Sequence, residues 1–297
     1  MATIEKPRKE IKVNRFIITT DSKRFVLTIH ESNDMHRIYI GGYKKYCVEG
    51  FFFKPSSPLR SASIKYLTQY KLNNKDDDIS ASLSHVYYDK DCGIDRNFER
   101  GTDTRLLIKL LASFIHKYYP KITKMYLSDA STRRCDNGTE TKLYETSYIT
   151  SGKTWYQKNF NAYLEGSNLE YFTKMTNAFQ EKKKDISWDS FKGFVLEEFP
   201  IDEDTLKQIY DNAPTWQDFF GPLSELIGPS KFCIFVSSWL HGFMETYLGL
   251  TFNTIEYVIP IESNLINFKI IEHIQGGKTY KAKKYHKRKY TSKNKKK

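Results

Sequence analysis

The stretch Glu99-Arg100-Gly101-Thr102-Asp103-Thr104-Arg105-Leu106-Leu107-Ile108-Lys109-Leu110-Leu111-Ala112-Ser113-Phe114-Ile115-His116-Lys117-Tyr118 decides the fold. Leu107, Leu110, Leu111, Phe114 and Ile115 recur at helical spacing and make one apolar stripe, so residues 104–118 read as a helix. Thr102 or Asp103 is placed to cap its start, and Pro120 stops it. Upstream, Ser80 to Tyr88 reads as a strand; downstream, Lys124-Met125-Tyr126-Leu127-Ser128 reads as another. Strand, glycine turn, helix and strand make a βαβ unit, so part of the sheet is expected to be parallel.

Outward toward the N-terminus, Arg24 to His30 and His36 to Ile40 are β-branched and aromatic runs separated by Glu31-Ser32-Asn33-Asp34, which predicts a hairpin. Ser63 to Tyr70 alternates with period two and reads as a further strand. Residues 1–15 are polar and carry Lys6, Arg8, Lys9, Lys12 and Arg15; they read as a mobile arm. Toward the C-terminus, residues 140–180 read as helical with breaks near Gly152 and Gly166. Trp188 to Phe199, Asp204 to Asn212 and Lys231 to Leu248 are further helical segments, and Asn253 to Ile261 and Asn267 to Ile274 read as a pair of strands. The expectation is an α/β fold: a mixed, partly parallel sheet flanked by helices over residues 16–165, then a mainly helical region over 166–277.

The formal charge of +12 is concentrated at one end. Lys278 to Lys297 holds eleven of the 47 basic residues and no acidic one, which leaves 36 basic against 35 acidic residues in 1–277. The body is therefore close to neutral, and cationic binding belongs to a disordered tail. There Lys281, Lys283, Lys284, Lys287, Arg288 and Lys289, interleaved with Tyr280, Tyr285 and Tyr290, suit nucleic acid or another polyanion.

No run of eighteen apolar residues occurs, so no membrane span is expected. The first residues lack the apolar core of a signal peptide, which points to an intracellular protein. Cys47, Cys92, Cys135 and Cys233 are scattered, which reads as four reduced, mostly buried thiols and disfavours zinc ribbons and redox dithiols. The seven histidines show no i, i+3 or i, i+4 pair, and no metal is expected. Ser151-Gly152-Lys153-Thr154 lacks the upstream glycine of a phosphate-binding loop, since position 147 is Ser147. The free N–H groups at the start of the 104–118 helix, flanked by Arg100 and Arg105, are the most informative candidate anion site.

From Arg100 to Leu107 the chain resembles the loop and helix start of the GNAT acyltransferase fold, Arg-Gly-x-Gly-x-Gly/Ala followed by paired leucines. Arg100 and Gly101 match, while Asp103 and Arg105 stand where the family has small residues. Tyr126-Leu127-Ser128-Asp129 is similar to the family's next strand, and Tyr156-Gln157-Lys158-Asn159-Phe160 to its Tyr-x-x-x-Phe helix. The resemblance, over about residues 25–165, implies acetyl-coenzyme A held by residues 100–105 (Arg100, Gly101, Thr102, Asp103, Thr104, Arg105). It also implies Tyr156 as general acid and a general base among His85, Tyr88 and Asp89 on the preceding strand. The Lys-, Asn-, Ile- and Tyr-heavy composition with its basic tail resembles proteins of large AT-rich DNA viruses, which implies a host-cell cytoplasm, nucleus or virion as the setting. The alternative expectation is a non-enzymatic nucleic-acid-binding or structural protein.

Overall fold

Residues Thr102–Tyr118 form the expected helix, α1, in a computed structural model that describes residues 11–53, 79–95, 97–99, 101–195, 198–248 and 255–274. The anticipated strand at 63–70, Arg100 and the whole tail from 278 lie outside the described residues. Leu107, Ile108, Leu110, Leu111, Ala112, Ser113, Phe114 and Ile115 are all buried. Near-consecutive burial cannot come from one helix face, so neighbouring structure has to wrap α1.

A sheet does the wrapping. Its strands are β1 (Lys12–Thr19), β2 (Arg24–Glu31), β3 (Met35–Gly41), β4 (Tyr46–Phe53), β5 (Ile79–Val86), β6 (Ile122–Ser128), β9 (Glu256–Pro260) and β10 (Lys269–His273). They stand in the order β10-β1-β2-β3-β4-β5-β6-β9, and β5 with β6 is the parallel pair. β7 (Thr132–Arg134) and β8 (Glu140–Lys142) form a separate hairpin. β9 and β10 thus close opposite edges, although only residues 261–268 join them. Those residues reach at most about 30 Å, while seven strand spacings of a flat sheet need roughly 34 Å. The sheet must curl, and the connection crosses over α1. There the Ile266 N–H donates to Ser113 Oγ at 2.7 Å, and Phe268 meets Phe114 at 6.3 Å.

Ile29, Ile38, Ile40, Val48 and Phe52 line the concave face. Gly50 is required there, because a Cβ would stand 2.8 Å from Leu111 Cδ2. Each large aliphatic side chain buried against α1 contributes roughly 1.5–3 kcal/mol.

The remaining helices are α2 (Leu143–Ser151), α3 (Trp155–Phe160), α4 (Ser167–Glu181), α5 (Trp188–Lys192), α6 (Glu203–Asn212), α7 (Trp216–Ser237) and α8 (Leu240–Leu248). The predicted breaks fall at Gly152 and Gly166, both with positive φ. Helices α4 to α8 pack around Phe179, Phe191, Tyr210, Trp216, Phe219, Trp239 and Phe243, with Trp216 and Phe243 edge to face at 4.8 Å.

Several expectations need correction. Lys12 to Arg15 belong to β1, paired with β2, rather than to a mobile arm; the alternation that matters begins inside the charged stretch. The last two strands belong to the first sheet, one at each edge, and not to the helical region after residue 165, because the curl brings both free edges within reach of one short connection. The helix expected over Trp188–Phe199 stops at Lys192. Helix α7 runs through Pro222 and turns only at Gly228, where φ is 77° and Pro229 restarts it. The cysteines are not free thiols: Cys47 joins Cys92 and Cys135 joins Cys233, with Cα–Cα distances of 5.7 and 5.6 Å. Separations of 45 and 98 residues hid that approach, and the pairing removes the cysteine argument for a reducing compartment.

Candidate functional site at the carboxyl ends of the parallel strands

The parallel pair holds register only at Ile79↔Ile122, Ala81↔Met125 and Ser82↔Tyr126. Both strands run on, β5 to Val86 and β6 to Ser128, but no longer with each other. β5 stays with β4 and β6 stays with β9. The strands therefore part at their carboxyl ends, and among the described residues no strand pairs with the edges that face the gap.

The start of α1 lies at this end. Gly101 caps it with φ 83°, and a Cβ there would meet nothing within 4 Å. Thr102 is exposed and Thr104 half-buried. Asp103 turns inward: it is buried, pairs with Lys23, and accepts from the Glu99 N–H. The chain's own carboxylate thus neutralises part of the positive helix end. Arg105 donates to Asn159 Oδ1 at 3.0 Å, which ties α1 to α3.

The catalytic candidates stand apart in character. His85 is exposed, with its ring 5.1 Å from Tyr87. Tyr88 is 43% exposed beside Phe98. Asp89 caps the turn Lys90–Cys92 and pairs with Lys45, which holds its carboxyl below the usual range. Tyr156 is buried, edge to face with Trp155 at 4.9 Å, and burial pushes its phenol up. It stays protonated at neutral pH. No hydrogen bond, ion pair or ring contact joins it to His85, Tyr88 or Asp89 among the described residues.

Asp129, directly after β6, is a buried carboxylate that the sequence did not single out. It is 1% exposed. Its Oδ1 accepts from the Ser131 N–H at 3.0 Å and Ser131 Oγ at 2.5 Å, while Oδ2 has no hydrogen-bond partner among the described residues. Tyr257 pairs with Leu127 across β6 and β9, which places it on the same face as Asp129. Its hydroxyl leans toward Thr154 but meets no partner at hydrogen-bond geometry among the described residues. Burial raises the Asp129 carboxyl and the Tyr144, Tyr156 and Tyr257 phenols, and the Asp129 charge adds to all three phenols. The available signal was position: Asp129 ends the second strand of a βαβ unit, where α/β ligands collect.

A groove of about 570 Å³ lies toward the other end of α1, lined by His116, Lys117 and Leu265 to Phe268. Among the described residues no cluster of three or more His, Cys, Asp or Glu side chains is arranged to hold a metal, and no helix is long and apolar enough to cross a membrane. No family model, curated protein or solved structure matches this chain.

Proposed function

We propose that this chain is a GNAT-like acyltransferase-fold protein that takes an acyl-coenzyme A between the parted ends of β5 and β6. The observation that carries the reading is the register of that pair, which stops at Ser82↔Tyr126 while both strands continue. Ligands of open α/β sheets enter outside the carboxyl ends of strands whose neighbours diverge. Unpaired edge N–H and C=O groups suit an extended amide chain such as the pantetheine arm, which pairs as an added strand. The start of α1 faces the diphosphate, with Arg105 beside it.

In the transfer an amine nitrogen bonds the acyl carbon and the C–S bond breaks. Tyr156 gives its proton to the leaving thiolate. The amine's proton passes to a base at the end of β5, where His85 and Tyr88 are exposed and Asp89 is held by Lys45. Isothermal titration with acetyl-coenzyme A tests the reading: heat with one-to-one stoichiometry is expected, and no heat at high micromolar protein removes it.

A second reading has its own observation. Asp103 already fills the helix start with a carboxylate, which favours a non-enzymatic protein that grips nucleic acid or another polyanion through residues 278–297. Deleting those residues is expected to abolish salt-sensitive binding to an oligonucleotide. A truncated protein that binds as well as the whole would show that the tail is not the grip.

A further inference from the structure

The groove toward the carboxyl end of α1 has a lining that neither the parted strands nor the helix start shares. One wall is the later half of α1, with Ser113, His116 and Lys117; the other is the chain from Leu265 to Phe268 that crosses over it. Its volume of about 570 Å³ lies within the roughly 300–1,000 Å³ that small-molecule sites occupy.

Both walls are fixed by the fold itself. Asn264, just before the second wall, is buried and donates its amide to the Phe160 carbonyl at 2.8 Å. The Ile266 N–H donates to Ser113 Oγ, and that hydroxyl donates in turn to the Lys109 carbonyl at 2.8 Å. Lys269, just past Phe268, pairs with Thr19 on β1. A ligand entering here meets a shape already set, so little ordering entropy opposes it.

The lining holds two kinds of group. Leu265 is 41% exposed and, unlike Ile266 and Phe268, does not pack against the core cluster of described residues. The half-buried Ile266 and Phe268 continue its apolar surface along the wall. Covering such a strip is favourable. The other members include Lys117, His116 and Asn267, all able to donate, and no Asp or Glu lines the groove. The Lys117 ammonium lies 5.2 Å from the Phe268 ring centroid and 5.5 Å from that of Tyr118. It pairs with no carboxylate among the described residues. A cation in the last turn answers the negative end of the helix dipole, which accounts for its place in the chain. The dipole does not account for an ammonium set over the ring that walls the groove. One such charge beside an apolar strip matches a ligand with a single negative charge and an apolar body; a phosphate carries close to two charges and would be half balanced.

We propose that this groove binds a medium-chain aliphatic carboxylate, with its anion on Lys117 and its alkyl chain along Leu265, Ile266 and Phe268. His116 and Asn267 are the further donors that the lining offers the carboxylate. The site is separate from the gap between β5 and β6 and does not depend on coenzyme A.

Isothermal titration of the full-length chain with dodecanoate, kept below its micellar concentration, tests the assignment. Heat with one-to-one stoichiometry is expected, and none with dodecyltrimethylammonium, which has the same alkyl chain and the opposite charge. Decanoate should bind several-fold more weakly, since each buried methylene is worth about fourfold. Lys117→Gln is expected to raise Kd about tenfold, as for a lost hydrogen bond to a charged group. Leu265→Asp should abolish binding by placing an acid in the lining, while Lys117→Arg keeps the charge and most of the affinity. Lys117 and Leu265 are exposed, so thermal unfolding of these variants stays with the parent. No heat with dodecanoate, a cationic amphiphile bound as tightly as the anion, or a Lys117→Gln variant that binds as the parent does overturns the assignment. The titration contains no acetyl-coenzyme A, so its failure leaves the reading of the parted strands standing.

Discussion

The helical region from Ser167 to Leu248 and the end of the sheet around Asp129 both bury polar groups, and they treat them differently. In the helical region Lys183 is 5% exposed, but its ammonium donates to the Tyr210 carbonyl at 3.1 Å and sits 3.3 Å from that residue's ring centroid. Among the described residues the orphan there is Trp216 Nε1, a neutral donor. At the sheet end, among the described residues, the orphans are a carboxylate oxygen and a phenol on one face, Asp129 Oδ2 and Tyr257 OH. An unpaired buried carboxylate costs far more than an unpaired indole N–H. One region is packed for stability, and the other holds a cost where the parallel strands part. Such costs gather where a ligand is to be met.

The largest effect breaks the braces of both regions. Reduction opens loops of 45 and 98 residues, worth roughly 4–5 kcal/mol each in the chain-entropy account. Thermal unfolding in excess reductant should therefore fall by well over ten degrees; an unchanged midpoint would mean that the bridges carry no stability. Next, Phe191→Ala in the aromatic core should cost about 3–5 kcal/mol in urea unfolding, while leaving any surviving folded protein able to bind acetyl-coenzyme A. Asp129→Asn should act in the opposite direction. Removing the buried charge is expected to stabilise the fold by about 1–2 kcal/mol, read in urea unfolding. A destabilised Asp129→Asn would place Asp129 among ordinary structural carboxylates.

The smallest effect is in pH. Burial first, and then the Glu165 charge, push the Glu256 carboxyl up to about 7. The folded value lies above the unfolded one, so its contribution is complete below about pH 4.5 and fades as pH rises through about 7. After allowance for its partial exposure, the parent should lose on the order of 1 kcal/mol between pH 5 and 8. Glu256→Gln should flatten that slope.

Local periodicity made much of this legible. The apolar stripe gave α1, the paired β-branched runs gave the β2–β3 hairpin, and Gly152 and Gly166 marked helix ends. What stayed hidden depends on distance along the chain. Cys135 and Cys233 meet only because α7 returns to the β7–β8 hairpin. β9 and β10 close opposite edges only because the sheet curls. The Asp129 charge reaches the buried Tyr156 and Tyr257 phenols, which no spacing rule brings near it. The loop at 99–105 was visible as a turn into a helix, but the inward turn of Asp103 toward Lys23 was not.

Hydrogen–deuterium exchange with and without acetyl-coenzyme A tests the central claim most directly. The account predicts slowed exchange in residues 83–88, 99–105 and 127–131, the two parted strand ends and the helix start between them. Unchanged exchange in all three segments at saturating ligand would contradict it.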